Sequence, residues 1–156
     1  MDLPFLGNKD LLKLPKTAFL SSRDISPISV LKCYDWATQE RDQGTCIISG
    51  FHSPLEKDVL NFLLKGKQPI ILVMGRALYK QIPDSLQNPL KENRLLLISP
   101  VLQTIKRQSQ QSCFTRNNYI IETADKIVFG SLDEKGSLYR LYLDAKAKGK
   151  EIEVIG

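Results

Sequence analysis

Five short, nearly unbroken apolar runs, each halted by a small residue, constrain the fold of this chain more than anything else in its sequence. Lys16-Thr-Ala-Phe-Leu runs into Ser21, Thr45-Cys-Ile-Ile-Ser49 into Gly50, and Pro69-Ile-Ile-Leu-Val-Met74 into Gly75. Arg94-Leu-Leu-Leu-Ile-Ser99 and Lys126-Ile-Val-Phe129, which stops at Gly130, follow later in the chain. A strand apolar on both sides is buried on both faces, as in a parallel sheet covered by crossover helices.

The segments between these runs carry the expected helical signals. Pro27 suits a first helical turn, Val30, Leu31, Tyr34 and Ala37 share one face, and Gly44 is a natural stop. Pro54 opens a second helix with Leu55, Val59, Phe62 and Leu63 on one side, closing near Gly66. A last helix, Ser137 to Lys148, leads through Gly149 into a final strand, Glu151 to Ile155. The polar stretch Gln103 to Ser112 reads as a loop. The alternation predicts one α/β domain over residues 1–156, a Rossmann-like, mostly parallel sheet with helices on both faces. A chain of 156 residues is long enough for one core.

Charge and cysteine usage narrow the function. No apolar stretch approaches the ~20 residues of a membrane span. Met1 to Leu20 is interrupted by charges and lacks the apolar centre of a secretion signal. Cys33, Cys46 and Cys113 are odd in number and match no metal spacing, so they read as free thiols and the expected location is cytoplasmic. The single histidine, His52, leaves little material for a zinc site or a Ser-His-Asp triad. Glu56 beside it invites an acid/base pair, but no nucleophile or metal set accompanies the two, and we expect no catalysis and no cofactor. The net charge of +5 leans towards polyanionic partners.

Small and basic residues gather where strands would hand over to helices: Ser21-Ser22-Arg23, Ser49-Gly50 and Gly75-Arg76. Open parallel sheets bind ligands along that edge, because small residues admit close approach and helix N-termini favour anions. Arg23 would meet a phosphate there or pair with Asp24. Ser49 and Gly50 would offer backbone N–H groups or merely turn the chain. Arg116 and Asn117 either contact a ligand or brace a neighbouring loop, with Thr115 suited to cap the helix they open. Phe51, Tyr79 and Phe114 are candidates for stacking on bases, or core residues. Lys106 and Arg107 add phosphate attraction or form a solvated loop.

In order along the chain, these features resemble one family, the DNA-processing protein A family, also called Smf. Leu6-Gly7-Asn8, Leu11-Leu12 and Leu14-Pro15-Lys16 match its opening, and Ser21-Ser22-Arg23 stands at its Gly-Ser-Arg signature. Ile48-Ser49-Gly50, Ile70 to Gly75, Ile82-Pro83 and Leu96 to Ser99 follow its strands and turns. Phe114, Arg116, Asn117, Ile120 and Ile121 fall on its Phe-x-x-Arg-Asn-Arg-Ile-Ile element, and Gly136-Ser137-Leu138, Ala145 and Gly149 on its last helix. The turn Gly-x-Ala-x-Gly-Ile-Asp appears as Gly50 to Glu56, and Asn118 replaces the second arginine. This is similar to a diverged, stand-alone core of the family.

The resemblance implies single-stranded DNA binding by Ser22, Arg23, Ser49, Gly50, Phe114, Arg116 and Asn117, and a role in DNA processing, recombination or natural transformation. A RecA-type recombinase would be a second partner; no membrane is involved, and a homodimer stays open. The competing expectation is a sensor binding a nucleotide or nucleoside monophosphate. A phosphoribohydrolase of the same superfamily is disfavoured, since no Pro-Gly-Gly-x-Gly-Thr motif stands between Gly130 and Leu138.

Overall fold

The computed structural model describes residues 2–23 and 25–156. Its centre is a seven-stranded sheet: β1 (Phe5–Gly7), β2 (Lys16–Leu20), β3 (Cys46–Ser49), β4 (Ile70–Val73), β5 (Leu95–Ile98), β6 (Lys126–Phe129) and β7 (Glu151–Val154). The spatial order is β1-β5-β4-β3-β2-β6-β7, with every pair parallel except β1 against β5. The helices are α1 (Pro27–Gln43), α2 (Pro54–Leu64), α3 (Asp84–Lys91), α4 (Gln110–Thr123) and α5 (Ser137–Ala147), with a 3-10 turn at Lys9–Lys13. The expected α/β sheet is therefore present, and no described helix is long and apolar enough to cross a membrane.

The pleat divides the apolar runs between two cores. Ala18, Ile48, Val73, Leu96 and Phe129 face α4 and α5, whereas Phe19, Ile47, Leu72, Leu97 and Val128 face the other layer, with Cys33 and Ala37 of α1 and Val59 of α2. Burial pushes the thiols of Cys33 and Cys46 up to about 11 and about 12, so both are inert, neutral core residues near neutral pH.

Helix ends follow the punctuation. Ser26 caps α1 ahead of Pro27, and Gly44 closes it in the left-handed region at φ 80°. Ser53 and Glu56 form a reciprocal capping box on α2. Three elements depart from the sequence reading. β1 is only three exposed residues long, too short for a periodicity to show. α3 contains Pro89, which removes a backbone donor inside the helix; the segment folds because Leu86 and Pro89 are buried against the sheet layer. α4 starts at Gln110, inside the segment expected to be a loop, capped by Ser109 through Ser112, so Thr115 is an interior helical residue rather than its cap.

The strand order reverses beside β2. The chain proceeds from β2 outward to β5, then crosses back to place β6 on the other side of β2 and β7 beyond it. The carboxyl ends of β2, β3 and β4 thereby form one continuous edge next to that reversal. Replacing Phe129, fully buried against Tyr142 at the centre of one core, with alanine should lower unfolding stability by about 3–5 kcal/mol. Urea denaturation measures this.

Candidate nucleic-acid interface

The edge is built around one buried carboxylate and one buried guanidinium. Glu56, 5% exposed in the first turn of α2, accepts the backbone N–H of Ser21 at 3.0 Å, of His52 at 2.9 Å and of Ser53 at 3.4 Å. It thus ties the end of β2 to the turn after β3. Burial pushes its pKa above the usual carboxylate range, while the three amides and nearby Arg116 pull it back down. Its bond to His52 runs through the backbone, so the two do not form the acid/base pair suggested by their spacing.

Arg116, 5% exposed, extends from α4 across the end of β3. Its Nε donates to Asn117 Oδ1 at 3.1 Å and its Nη1 to Gln108 Oε1 at 2.8 Å. These are neutral acceptors, and among the described residues no carboxylate stands within ion-pair distance. A guanidinium with five donors and no anionic partner retains both charge and hydrogen-bonding capacity for an incoming anion. Glycine at position 50 makes this geometry attainable, because a Cβ there would lie 2.6 Å from Arg116 Nε and 2.7 Å from its Cδ.

Cations from three elements converge on His52. Burial lowers its pKa first, and then the charges of Arg116, Lys57 and Arg23 lower it further. His52 and Lys57 also line a cleft of about 330 Å³ between the ends of β3 and β4, floored by Leu72 and Met74 and flanked by Arg76 and Tyr79. The Arg76 guanidinium lies over the Tyr79 ring, 5.2 Å from its centroid. The cleft therefore has an apolar floor and a cationic wall. A larger hollow, about 590 Å³, lies beside α3 and includes Asp84 and Lys91, but none of the converging cations lines it.

The seven residues singled out from sequence separate into groups. Gly50 and Arg116 are packed together at the edge, and the charge of Arg23 acts on His52 beside them. Ser22 stands beside them, half-buried, its hydroxyl donating to Ser131 O at 3.4 Å. Ser49 is fully buried, and its Oγ accepts the N–H of Phe51, which adopts a left-handed φ of 47°. Ser49 thus shapes the turn and is enclosed by it. Asn117 holds Arg116 in place. Phe114 is 43% exposed and, two residues before Arg116, projects from the opposite side of α4. Of the other aromatics, Phe51 is core and Tyr79 flanks the cleft. The expected Arg23–Asp24 pairing lies outside the described residues.

Arg76, part of the Gly75-Arg76 strand end singled out from sequence, lines the cleft, whereas Lys57 and Gln108 escaped the sequence reading. Pro54 at the start of α2 already implied that Lys57 sits in the first turn, facing the strand ends. The contact of Gln108 with Arg116, by contrast, has no local signal. The described residues hold no group of three or more His, Cys, Asp or Glu side chains arranged for a metal.

Comparison with known proteins places this edge in context. Residues 3–155 match the family model of DNA recombination-mediator protein A. DNA processing protein A from Streptococcus pneumoniae superposes with a TM-score of 0.77 at 20% identity, over 96% of this chain and 53% of its own. The corresponding protein from Helicobacter pylori, studied for its single-stranded DNA binding mode, also gives 0.77 at 20% identity, over 96% of this chain and 69% of its own. The chain thus spans about half of the first protein and about two-thirds of the second. The molybdenum cofactor carrier protein of Chlamydomonas reinhardtii is more distant, with a TM-score of 0.59 at 14% identity over 91% of this chain and 76% of its own. No curated protein matches.

Two outcomes follow from the geometry. Gly50→Ala should displace Arg116 and cost about 1–3 kcal/mol in denaturant unfolding, since the colliding atoms belong to a buried side chain held by two hydrogen bonds. Because the fold favours neutral His52, the unfolded chain protonates first on acidification. The stability this histidine contributes is present above its ordinary value of 6.5 and lost as the pH falls through its lowered folded value. Melting temperatures of wild type and His52→Gln, followed from neutral to about pH 5, should diverge as that contribution disappears from the wild type alone.

Proposed function

Since the chain belongs to the DNA recombination-mediator protein A family, we propose that it binds single-stranded DNA along the carboxyl edge of its sheet, without catalysing a reaction. The observation that carries this reading is the convergence of Arg23, Lys57 and Arg116 around His52, with the Arg116 guanidinium buried, among the described residues, against neutral acceptors alone. Such an array suits a run of phosphates rather than a single carboxylate side chain.

The division of labour follows from exposure. Arg116 is pre-positioned by Asn117 and Gln108, so it loses little side-chain entropy on contact with a phosphate. Arg23 is exposed and reaches phosphates further along the strand. The cleft beside Tyr79 offers an apolar floor, where a base stacks at a gain of about 1–3 kcal/mol. Lys106 and Arg107, exposed on the segment before α4, contribute unspecific attraction. A cytoplasmic location and transfer of the strand to a RecA-type recombinase complete the proposal, on the strength of family membership.

The test is a titration with a labelled single-stranded oligonucleotide across a salt series. Affinity should fall with salt at a log–log slope of about −0.7 per phosphate contacted. Arg23→Ala should weaken binding roughly tenfold and make that slope shallower by about 0.7. A salt-independent affinity, or an Arg23→Ala variant that binds like wild type, would overturn the proposal.

A further inference from the structure

The turns that follow β2 and β3 carry backbone amides of the kind that receive phosphate in open parallel sheets. In this chain five of them are occupied from within. The N–H groups of Ser21, His52 and Ser53 donate to the Glu56 carboxylate, at 3.0, 2.9 and 3.4 Å. Phe51 N–H donates to Ser49 Oγ at 3.1 Å, and Ser22 N–H to Ser131 O at 3.5 Å. Both Glu56 oxygens meet only donors, the pattern that an ionised carboxylate satisfies and a protonated one does not. Arg116 adds a favourable charge nearby.

We infer that Glu56 determines specificity by filling, with its own carboxylate, the phosphate seat of the strand-end turns, so that the edge refuses free phosphate and mononucleotides and retains polymeric strands. This rests on the single-strand reading above for the identity of the accepted ligand, but not for the refusal. A phosphate approaching the seat would meet a like charge at contact distance in a dry environment and find those five amides taken. What remains for an anion is the set of side-chain cations, Arg23, Lys57 and Arg116, which come from three separate elements. A mononucleotide supplies one phosphate to that set. A strand supplies several on one backbone, and each successive contact forms at a high effective concentration.

The experiment measures melting temperatures of the full chain as wild type, Glu56→Ala and Glu56→Gln, at constant ionic strength. The ligands are inorganic phosphate, thymidine monophosphate and an oligothymidine strand. The strand at about ten times its Kd should raise the wild-type melting temperature by roughly 3–6 °C, whereas phosphate and the monophosphate should leave it unchanged. Glu56→Ala should melt lower and regain part of the loss in either small anion, which occupies the vacated seat. Glu56→Gln keeps the volume filled and should gain nothing from them. Stabilisation of the wild type by the monophosphate, or indifference of Glu56→Ala to both small anions, would overturn the inference. Where Glu56→Ala does not fold unaided, its refolding yield in phosphate against chloride decides, and equal yields overturn it. Failure of the strand to stabilise the wild type counts against the single-strand reading and leaves the small-anion results intact.

Discussion

The carboxyl edge of this sheet depends on a buried carboxylate that has no salt bridge among the described residues. Removing a carboxylate from water is costly unless hydrogen bonds replace the lost hydration. Glu56 recovers that cost through backbone amides from the ends of two neighbouring strands. The arrangement links residues 35 positions apart, Ser21 and Glu56, and ties the turn after β2 to the start of α2. It also explains why the guanidinium of Arg116 can be buried a short way off with only amide oxygens for partners. Each of the two charges lies in the other's field, yet each keeps its own set of hydrogen bonds.

The opposite edge of the sheet uses charge differently. There, Lys16 Nζ donates to the carbonyls of Leu12 and Leu14, Arg94 to those of Leu64 and Gln68, and Lys150 to those of Glu122 and Ala124. Each cation satisfies backbone oxygens left over where a helix or turn ends, a role suited to basic residues because those carbonyls carry the negative end of the helix dipole. The net charge of +5 therefore overstates what is offered to a polyanion. Part of the basic complement closes the bottom of the fold, and the portion that shapes recognition is the small group at the top.

Much of this was legible in the sequence, and the limits have physical causes. The apolar runs located the five central strands to within a residue or so at each end, because a strand buried on both faces is apolar at nearly every position. Pro27, Pro54, Gly44 and Gly149 marked helix ends through backbone constraints that act locally. α3 was hidden, since Pro89 argues against a helix and only burial of Leu86 overrides it. The first turn of α4 was hidden as well, because serines and glutamines serve equally in a loop and in a cap. At the site, Ser53-x-x-Glu56 is a readable capping pattern, but the second oxygen of Glu56 reaches a strand far away in sequence. Asn117 and Gln108 likewise gain their roles only when α4 is laid across β3.

The missing side chain at position 50 carries an evolutionary consequence. Any larger residue there would share space with the Nε and Cδ of Arg116. Two codons 66 positions apart are thus bound to one another. Descendants that lose the glycine are expected to shorten or replace the arginine in the same lineage. Paired substitution at 50 and 116 would then mark the relatives in which this edge of the sheet has been given over to some other use.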